Sequence, residues 1–463
     1  MGDRKREEFL NLRREVGRVY KPRTSKSGKP LPSARYVQTK IFGERRINAR
    51  DLTLFFMQFG QFVSHDLALS SVRQTAAAHL FRPSGGVAES GPLQCCTSDG
   101  SATLEPPRLP DACYPIPVPP MDPVYERYNV RCMEFVRAMT VPPDDCVLQP
   151  AVPMNVVTAH LDLSPVYDNS DTANRRLREG RRGRLAVKKF WTGEFLPLTP
   201  NSPAPCNSRN PSQDLCFMAG DVRANQNPLM TATHVLYLRE HNRIAESLAV
   251  INPHWDDERI YQESRRIAIA CYQHITYEEM LPLFIGLEAF QKYFQSYAYD
   301  EELCPGTYVE FTSVCFRYFH TLVHGILKIM TEERKTIKEL VLSEYFNAPS
   351  IIIKKIEELL IGAVTHSSRK EDENFDREIA DELFRPNRTT FGMSLPGIDI
   401  QRARDHGVPP YNDLREKCGL PRANDFGDLI DTTPYPVSDA YTSLLHISHN
   451  TELSYNQNSV NVI

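Results

Sequence analysis

Apolar residues recur at intervals of three and four in the stretch that begins near residue 49. Leu52, Phe55, Phe59 and Phe62 follow this spacing, which is the pattern of a helix that buries one face. We therefore predict a helix over residues 49–69. Its density of aromatic rings indicates that it lies in the protein core.

Four polar residues interrupt this apolar helix near its end, namely Gln61, Ser64, His65 and Asp66. Buried polar side chains need hydrogen-bond partners, and a functional site is one way to supply them. For His65 alone, a core histidine that is satisfied by the backbone or by a carboxylate is the simpler reading. Several polar groups within so short a stretch favour a site.

Helical periodicity also marks residues 227–251, 256–286 and 312–330, whereas strand patterns are few. Residues 72–150 are rich in proline and cysteine, which is typical of a long loop region held by disulfides. We therefore predict a mainly α fold with long disulfide-stapled loops and little β structure. The length permits two or three average domains or one large helical domain.

Charge and hydropathy exclude two classes of partner. The chain of 463 residues has a formal net charge of −4, whereas a surface that binds nucleic acid needs a concentrated basic field. No run of eighteen apolar residues provides a membrane span. We therefore expect no nucleic-acid partner and no membrane span.

Eleven cysteines are many for a reduced cytosolic protein and favour a secreted protein with disulfides. Six of them lie in loop-like segments: Cys95, Cys96, Cys132, Cys146, Cys206 and Cys216. We expect a bond between Cys206 and Cys216. The N-glycosylation triplet at Asn387 is consistent with secretion, but the charged first residues lack the apolar segment of a signal peptide. We therefore expect an extracellular protein of which this chain is a fragment.

Two histidines in the last apolar stretch, His320 and His324, are spaced so that both could ligate a metal from one helical face. A zinc protease would need glutamate directly after the first histidine, where Thr321 stands. Alternatively, one of these histidines and His65 lie on opposite sides of a flat cofactor, one ligating iron and the other free for acid–base chemistry. The pattern alone establishes neither arrangement.

Oxygen-bearing residues alternate in the segment TAHLDLSPVY. Thr158, Asp162 and Ser164 occupy even-numbered positions, with the His160 carbonyl between them. An extended loop of this kind directs several oxygens toward one point, as the sites of hard cations do. A strand edge with polar alternation is the alternative. A second carboxylate would favour the cation, and Asp66 is the candidate.

Seven blocks along the chain together resemble the animal haem peroxidase superfamily. They are SGKPLPSAR, MQFGQFVSHDL, VVTAHLDLSPVYDNSD, AGDVRANQNP, YLREHNRIAESL, FRYFHTLVHG and IDIQRARDHGVPPYN. They occur in the family's order and cover most of the chain, which makes the match specific. The resemblance implies a single large helical catalytic domain, placed at residues 33–440, between a polar, incomplete segment at 1–32 and a divergent tail at 441–463.

The resemblance also implies a role for the polar residues. On the distal side of the haem it implies His65 as the acid–base residue, Gln61 beside it and Arg223 as the cation, and on the proximal side His320 as the iron ligand and Arg317 as a propionate partner. A structural calcium ion is implied at Asp66, Thr158, the His160 carbonyl, Asp162 and Ser164. The implied reaction reduces hydrogen peroxide and oxidises a small reducing substrate.

Two positions depart from the family's covalent attachment of haem. Ser64 and Gln226 stand where ester-forming carboxylates occur, and Asn227 stands where a sulfur-linked member has methionine. Neither a hydroxyl nor an amide can supply the ester carboxylate. We therefore predict haem b that is held without covalent links, and phenolic or other one-electron donors in preference to halides.

The resemblance further implies a later helical stretch with an asparagine that hydrogen-bonds the proximal histidine. The final residues, HISHNTELSYNQNSVNVI, match no such block. We therefore expect His320 to lack this partner. The alternative function is a catalytically impaired protein that keeps the fold for adhesion or matrix interaction.

Overall fold

The chain folds into long helices connected by loops and by short two-stranded ribbons. A computed structural model describes residues 24–25, 28–71, 93–106, 108–141, 151–199, 215–294, 300–303, 305–386, 390–425 and 428. Cys146, Cys206, the triplet at Asn387 and the tail at 441–463 lie outside the described residues. Among the described residues, no helix is both long and apolar enough to cross a membrane.

The α-helices carry most of the regular structure. In chain order they are α1 (Ala34–Ile41), α2 (Leu54–Leu67), α3 (Ser164–Tyr167), α4 (Asp171–Arg176), α5 (Pro228–Ile251), α6 (Asp257–His274), α7 (Leu281–Ile285), α8 (Leu287–Phe294), α9 (Val309–Ser313), α10 (Ile352–Thr365), α11 (Arg377–Ala380), α12 (Leu395–Asp405) and α13 (Tyr411–Lys417). A π-helical turn, Ile275–Met280, joins α6 to α7, and short 3₁₀ helices lie at Glu126–Tyr128, Cys315–Leu322, Leu342–Glu344 and Pro349–Ile351.

The strands form antiparallel pairs in the described part of the chain. The pairs are β1 (Asn48–Thr53) with β10 (Ser367–Arg369), β2 (Ile116–Pro117) with β3 (Cys132–Met133), β4 (Thr140–Val141) with β5 (Val152–Pro153), β6 (Lys188–Phe190) with β7 (Gly193–Phe195), and β8 (Ile326–Met330) with β9 (Thr336–Val341). The predicted mainly α fold with little β structure is confirmed.

The helix predicted at 49–69 begins later than the apolar spacing indicates. Residues Asn48–Thr53 form β1, whose partner β10 comes from a distant part of the chain. Thr53 then caps α2, because its side-chain oxygen accepts a hydrogen bond from the N–H of Phe56. Helix α2 lies against α5, α10 and the 3₁₀ helix Cys315–Leu322, so it runs through the main hydrophobic core.

The prediction of one helix over 312–330 is wrong. The 3₁₀ helix Cys315–Leu322 contains His320 but ends before His324, whose Nδ1 accepts a hydrogen bond from the N–H of Ile326 as β8 begins. The close approach of Asp376 to Gly325 leaves no room for a side chain there, since a Cβ would lie 2.2 Å from a carboxylate oxygen. The two histidines therefore do not share a helical face.

Disulfides connect the loops between residues 93 and 141, which is the described part of the region where we predict disulfide-stapled loops. Cys95 is bonded to Cys113 and Cys96 to Cys132. Cys216 is also disulfide-bonded. The loops thereby acquire fixed positions without long strands or helices of their own.

Candidate functional site

The last turns of α2 carry the predicted distal residues. His65 and Asp66 are buried, whereas Gln61 and Ser64 are half-buried. The Nε2 of Gln61 donates a hydrogen bond to Oε1 of Gln226 at 3.0 Å, and its own Oε1 accepts one from Gln58 at 3.2 Å. A chain of neutral amides therefore lies one helical turn before His65.

Arg223 lies against the carboxyl-terminal end of α2. It donates hydrogen bonds from Nη2 to the carbonyl of His65 and from Nη1 to that of Ala68, both at 2.9 Å. The last carbonyls of a helix lack intrahelical partners, and a cation there is favourable. The guanidinium also forms an ion pair through two nitrogens with the buried carboxylate of Asp221. Arg223 therefore fixes the backbone of His65, while Asp221 compensates its charge.

The ring of His65 is neutral over the physiological pH range. Burial lowers its pKa well below 6.5, and the charge of Arg223 lowers that pKa further, whereas Asp221 opposes this effect. The helix that carries His65 contacts the 3₁₀ helix that carries His320, so adjacent elements supply the two imidazoles although they come from distant parts of the chain. Burial alone would raise the pKa of Asp221, but Arg223 holds it below its usual range.

The proximal candidate, His320, has a hydrogen-bond partner other than the asparagine that we expect it to lack. Its Nδ1 lies 2.6 Å from Oδ2 of Asp399, which belongs to α12. A carboxylate can only accept, so Nδ1 carries the proton, and the Nε2 of a neutral ring keeps its lone pair. Burial would raise the pKa of Asp399, but its interactions with His320 and with the cation of Arg317 hold that pKa below its usual value.

Arg317, the predicted propionate partner, contacts the same carboxylate. Its Nη1 forms an ion pair with Oδ1 of Asp399, whereas its buried Nε has no hydrogen-bond partner among the described residues. Arg317 therefore has donors left for a second anion.

The side chains present are of the kinds that would hold a haem. In hydrogen bonds within the described part of the chain the ring of His320 uses only Nδ1, which leaves Nε2 for iron. The buried Nδ1 of His65 likewise has no hydrogen-bond partner there. A neutral nitrogen ligand, a second imidazole on the adjoining helix and a partly free guanidinium are groups that could serve a haem iron, a peroxide and a propionate.

The oxygens predicted for calcium converge. The N–H of Ser164 donates to Oδ1 of Asp66 at 2.8 Å and to Oδ1 of Asp162 at 3.1 Å, so two carboxylates meet at one point. The Thr158 hydroxyl donates to Asp162 at 3.0 Å and to the His160 carbonyl at 3.3 Å. Burial raises the pKa of Asp66 to about 7, and Asp162 adds to this effect.

These oxygens suit a hard cation, because carboxylate, hydroxyl and carbonyl groups are its preferred ligands. In the described residues, no cluster of three or more His, Cys, Asp or Glu side chains is placed to hold a metal. A cation at this loop would therefore need neutral oxygens in addition to the two carboxylates. Leu163 adopts a left-handed conformation, with φ of 57°, and its N–H and that of Ser164 both reach Asp66.

The loop of residues 158–165, which carries the predicted cation ligands, is in direct backbone contact with the segment before Arg223. A Cβ on Gly220 would lie 2.3 Å from the carbonyl oxygen of Ser164, so only glycine permits this approach. The N–H of Asp221 donates to the carbonyl of Pro165 at 3.0 Å. The loop that holds Asp66 thus also positions the partner of Arg223.

Sequence reasoning missed Asp221, Asp399 and Gln58 as members of the site. Asp221 and Asp399 lie inside the quoted blocks AGDVRANQNP and IDIQRARDHGVPPYN, but nothing in the pattern showed which side chains they meet. The signal available was chemical: an arginine or histidine that is buried requires an acceptor nearby.

Comparison with known proteins identifies the family. The family model described as animal haem peroxidase matches residues 11–452. The chain is 39% identical over 426 residues to a peroxidase of Drosophila melanogaster, covering 88% of this chain and 59% of that protein. It is also 39% identical to a chorion peroxidase of Aedes aegypti, covering 89% of this chain and 51% of that protein. The chain belongs to the animal haem peroxidase family.

The chain spans only about half to three-fifths of the length of these curated relatives. Among solved structures, peroxidase A from Dictyostelium discoideum is similar with a TM-score of 0.72 and 26% identity, covering 92% of this chain and 78% of that one. A fatty acid alpha-dioxygenase of Oryza sativa has a TM-score of 0.65 at 17% identity, covering 93% of this chain and 68% of that one. This second likeness shows a shared fold alone.

Replacing Asp221 by asparagine should destabilise the protein strongly. The substitution keeps the size of the side chain but leaves the buried guanidinium of Arg223 without a counter-charge, which costs about 3–5 kcal/mol. The matched control is Asp257→Asn, because Asp257 pairs with Arg178 at a more exposed position, where a pair contributes about 0–1 kcal/mol. Chemical unfolding of both variants measures the difference. Equal losses of stability in the two variants would show that the ion pair of Asp221 with Arg223 contributes no more than the more exposed pair does.

Proposed function

We propose that the protein is a haem-dependent peroxidase that reduces hydrogen peroxide and oxidises phenolic or other small donors. The observation that carries the proposal is the pair of imidazoles. His65 is buried and neutral on α2, and His320 keeps Nε2 for a metal on the 3₁₀ helix that packs against α2. Membership of the family and the relatives named peroxidase support the same activity.

The chain's own residues supply acid–base chemistry and positioning. Haem, when bound, supplies the iron that binds peroxide and the ring that takes up oxidising equivalents. His65 accepts the proton of the peroxide at a ring nitrogen and returns it to the departing oxygen, so that water leaves instead of hydroxide. Arg223 holds the backbone of His65 and retains an N–H on Nη1 for developing negative charge.

Haem b is held in this proposal by His320, by contacts of Arg317 with a propionate and by packing. Ser64 and Gln226 lack the carboxylate that an ester needs, and the amide of Gln226 bonds to Gln61. Without covalent links the macrocycle is less distorted, and the degree of distortion is one property through which a protein tunes the reactivity of haem. This favours one-electron donors over halides.

A calcium ion at Asp66, Thr158, His160, Asp162 and Ser164 completes the proposal. The convergence of two carboxylates on the N–H of Ser164 supports it, since a cation would relieve their repulsion. The disulfides and the relative named chorion peroxidase support an extracellular location.

The activity is tested by His65→Leu. The protein supplied with haem should show a Soret band that shifts when hydrogen peroxide is added, and the variant should react on the order of a hundred- to ten-thousand-fold more slowly because its general base is lost. His254→Gln is the control, since His254 is exposed beside Trp255. A haem band that does not respond to peroxide, or no haem uptake, would favour the adhesive alternative.

The mode of haem attachment is tested by extraction with acidified organic solvent. We expect all haem to leave the unmodified protein, because neither Ser64 nor Gln226 can form an ester. The double variant Ser64→Asp, Gln226→Glu has a carboxylate at both ester positions. Part of its haem should therefore become covalently linked and resist extraction. Haem that stays with the unmodified protein would refute the non-covalent assignment.

Calcium binding is tested by thermal unfolding with calcium and with a chelator. A ligand that binds only the folded state at a hundred times its Kd stabilises by about 2.7 kcal/mol, so the melting temperature should rise with calcium. Asp66→Asn should abolish this response. Asp168→Asn, near the same loop but bonded to Ser170, should keep it. If neither calcium nor the chelator changed the melting temperature of the unmodified protein, the proposed calcium site would be contradicted.

A further inference from the structure

Basic residues dominate one short segment of a chain that is acidic as a whole. Residues 175–189 contain eight arginines and lysines and a single acidic residue, Glu179, whereas the formal net charge of the chain is −4. The segment begins at the end of α4 and continues into β6. The proposed peroxidase chemistry uses none of these residues. A local excess of positive charge on a negatively charged protein indicates a surface for an anionic partner.

The first part of this segment folds into a hairpin with residues 180–183 at its tip. Arg178 and Leu185 form an antiparallel bridge at its base. The tip lies on the first turn of α6, because the N–H of Gly183 donates a hydrogen bond to Oδ1 of Asp257 at 2.7 Å. The hairpin therefore has a fixed position on the protein, and its arginines divide into two groups.

Two arginines of the hairpin are neutralised by the protein itself. Arg178 pairs with Asp257 and Glu258, and its guanidinium carbon lies 4.0 Å from the centre of the Tyr261 ring. Arg184 pairs with three glutamates, which are Glu179, Glu194 and Glu246. The side chains of the two arginines are only 12% and 13% exposed. They hold the hairpin in place and are not available to a partner.

Five other cations of the segment face solvent and form no ion pair in the described part of the chain. They are Arg175, Arg176, Arg181, Arg182 and Lys188. The backbone of Arg182 is left-handed, with φ of 53°, a conformation that costs a residue with a Cβ about 1–2 kcal/mol. Glycine would suit this position better. The presence of arginine at a strained position indicates a use for its side chain.

We propose that these five cations bind a sulfated polysaccharide. Guanidinium groups form paired, charge-assisted hydrogen bonds with phosphate groups, and sulfate esters present the same tetrahedral arrangement of oxygens. Such esters repeat along the polysaccharide, so several arginines can bind one chain at once. The site would hold the protein in an extracellular matrix, whatever reaction the protein catalyses.

The surroundings of the five cations favour a single linear chain over a double helix. The side chains of Glu246 and Glu258, which pair with the two inner arginines, are each 60% exposed. They limit the cationic surface to a narrow strip, since a second strand beside it would meet negative charge. The proposed extracellular location favours a polysaccharide over a single-stranded nucleic acid.

Heparin, a highly sulfated glycosaminoglycan, is the probe that tests the site. The protein should stay bound to immobilised heparin at about 0.15 M salt, the physiological ionic strength. The fourfold variant Arg175→Gln, Arg176→Gln, Arg181→Gln, Arg182→Asn should bind at least about tenfold more weakly. Its plot of log K against log salt concentration should be shallower by roughly three units, because each contact with a single-stranded polyanion contributes about 0.7.

The control variant removes the same number of charges from exposed arginines elsewhere. It is Arg45→Gln, Arg46→Gln, Arg50→Gln, Arg266→Gln. The net charge of both variants is equal, so the control should bind heparin as the unmodified protein does. Thermal unfolding of both variants ensures that folded proteins are compared. Equal weakening in the two variants, or an unmodified protein that heparin does not retain at physiological salt, would overturn the proposal.

Two further probes test the choice of ligand. Hyaluronan carries carboxylates but no sulfate and should bind more weakly than heparin, whereas equal affinity would overturn the assignment to sulfate. A DNA duplex should also bind more weakly, and tighter binding of DNA would assign the strip to nucleic acid instead. None of these measurements requires haem, so their outcome does not depend on the proposed peroxidase activity.

Discussion

Polar groups near the end of α2 are paired by other parts of the chain, with Nδ1 of His65 as an exception among the described residues, and this pairing organises the site. Gln226 pairs with Gln61, Arg223 with the carbonyl of His65, and Ser164 with Asp66. A buried group left without its partner costs about 1–3 kcal/mol. Because the partners come from separate loops, the contacts that satisfy the helix also fix those loops around it.

Contact between loops extends this constraint from the proposed cation site to His65. Asp66 follows His65 directly in sequence, so whatever orders the loop of residues 158–165 restricts the last turn of α2. The same loop touches Gly220 and Asp221, and Asp221 holds the guanidinium that bonds to the carbonyl of His65. Two contacts thus determine the position of His65: the pairing of the next residue, Asp66, and the hydrogen bond from Arg223 to the carbonyl of His65 itself.

Local chemistry in the sequence predicted the mainly α fold, which is confirmed, and singled out the polar end of α2 and the oxygens of residues 158–164, because each depends on residues within one or two turns or one short loop. Long-range pairing was not predictable in the same way. Strand β1 forms because β10 lies beside it, and apolar spacing alone therefore extended α2 too far. Asp399 was missed because a partner was expected beyond the described chain, whereas α12 already places a carboxylate at Nδ1 of His320.

The two sides of the proposed haem site differ in electrostatic character. On the distal side Asp221 compensates Arg223, His65 is neutral, and the Gln61–Gln226 contact carries no charge. On the proximal side Asp399 faces an imidazole directly. A distal side whose charges compensate each other suits a neutral peroxide. The carboxylate of Asp399 lies instead at Nδ1 of His320, so it leaves Nε2 of that ring unblocked.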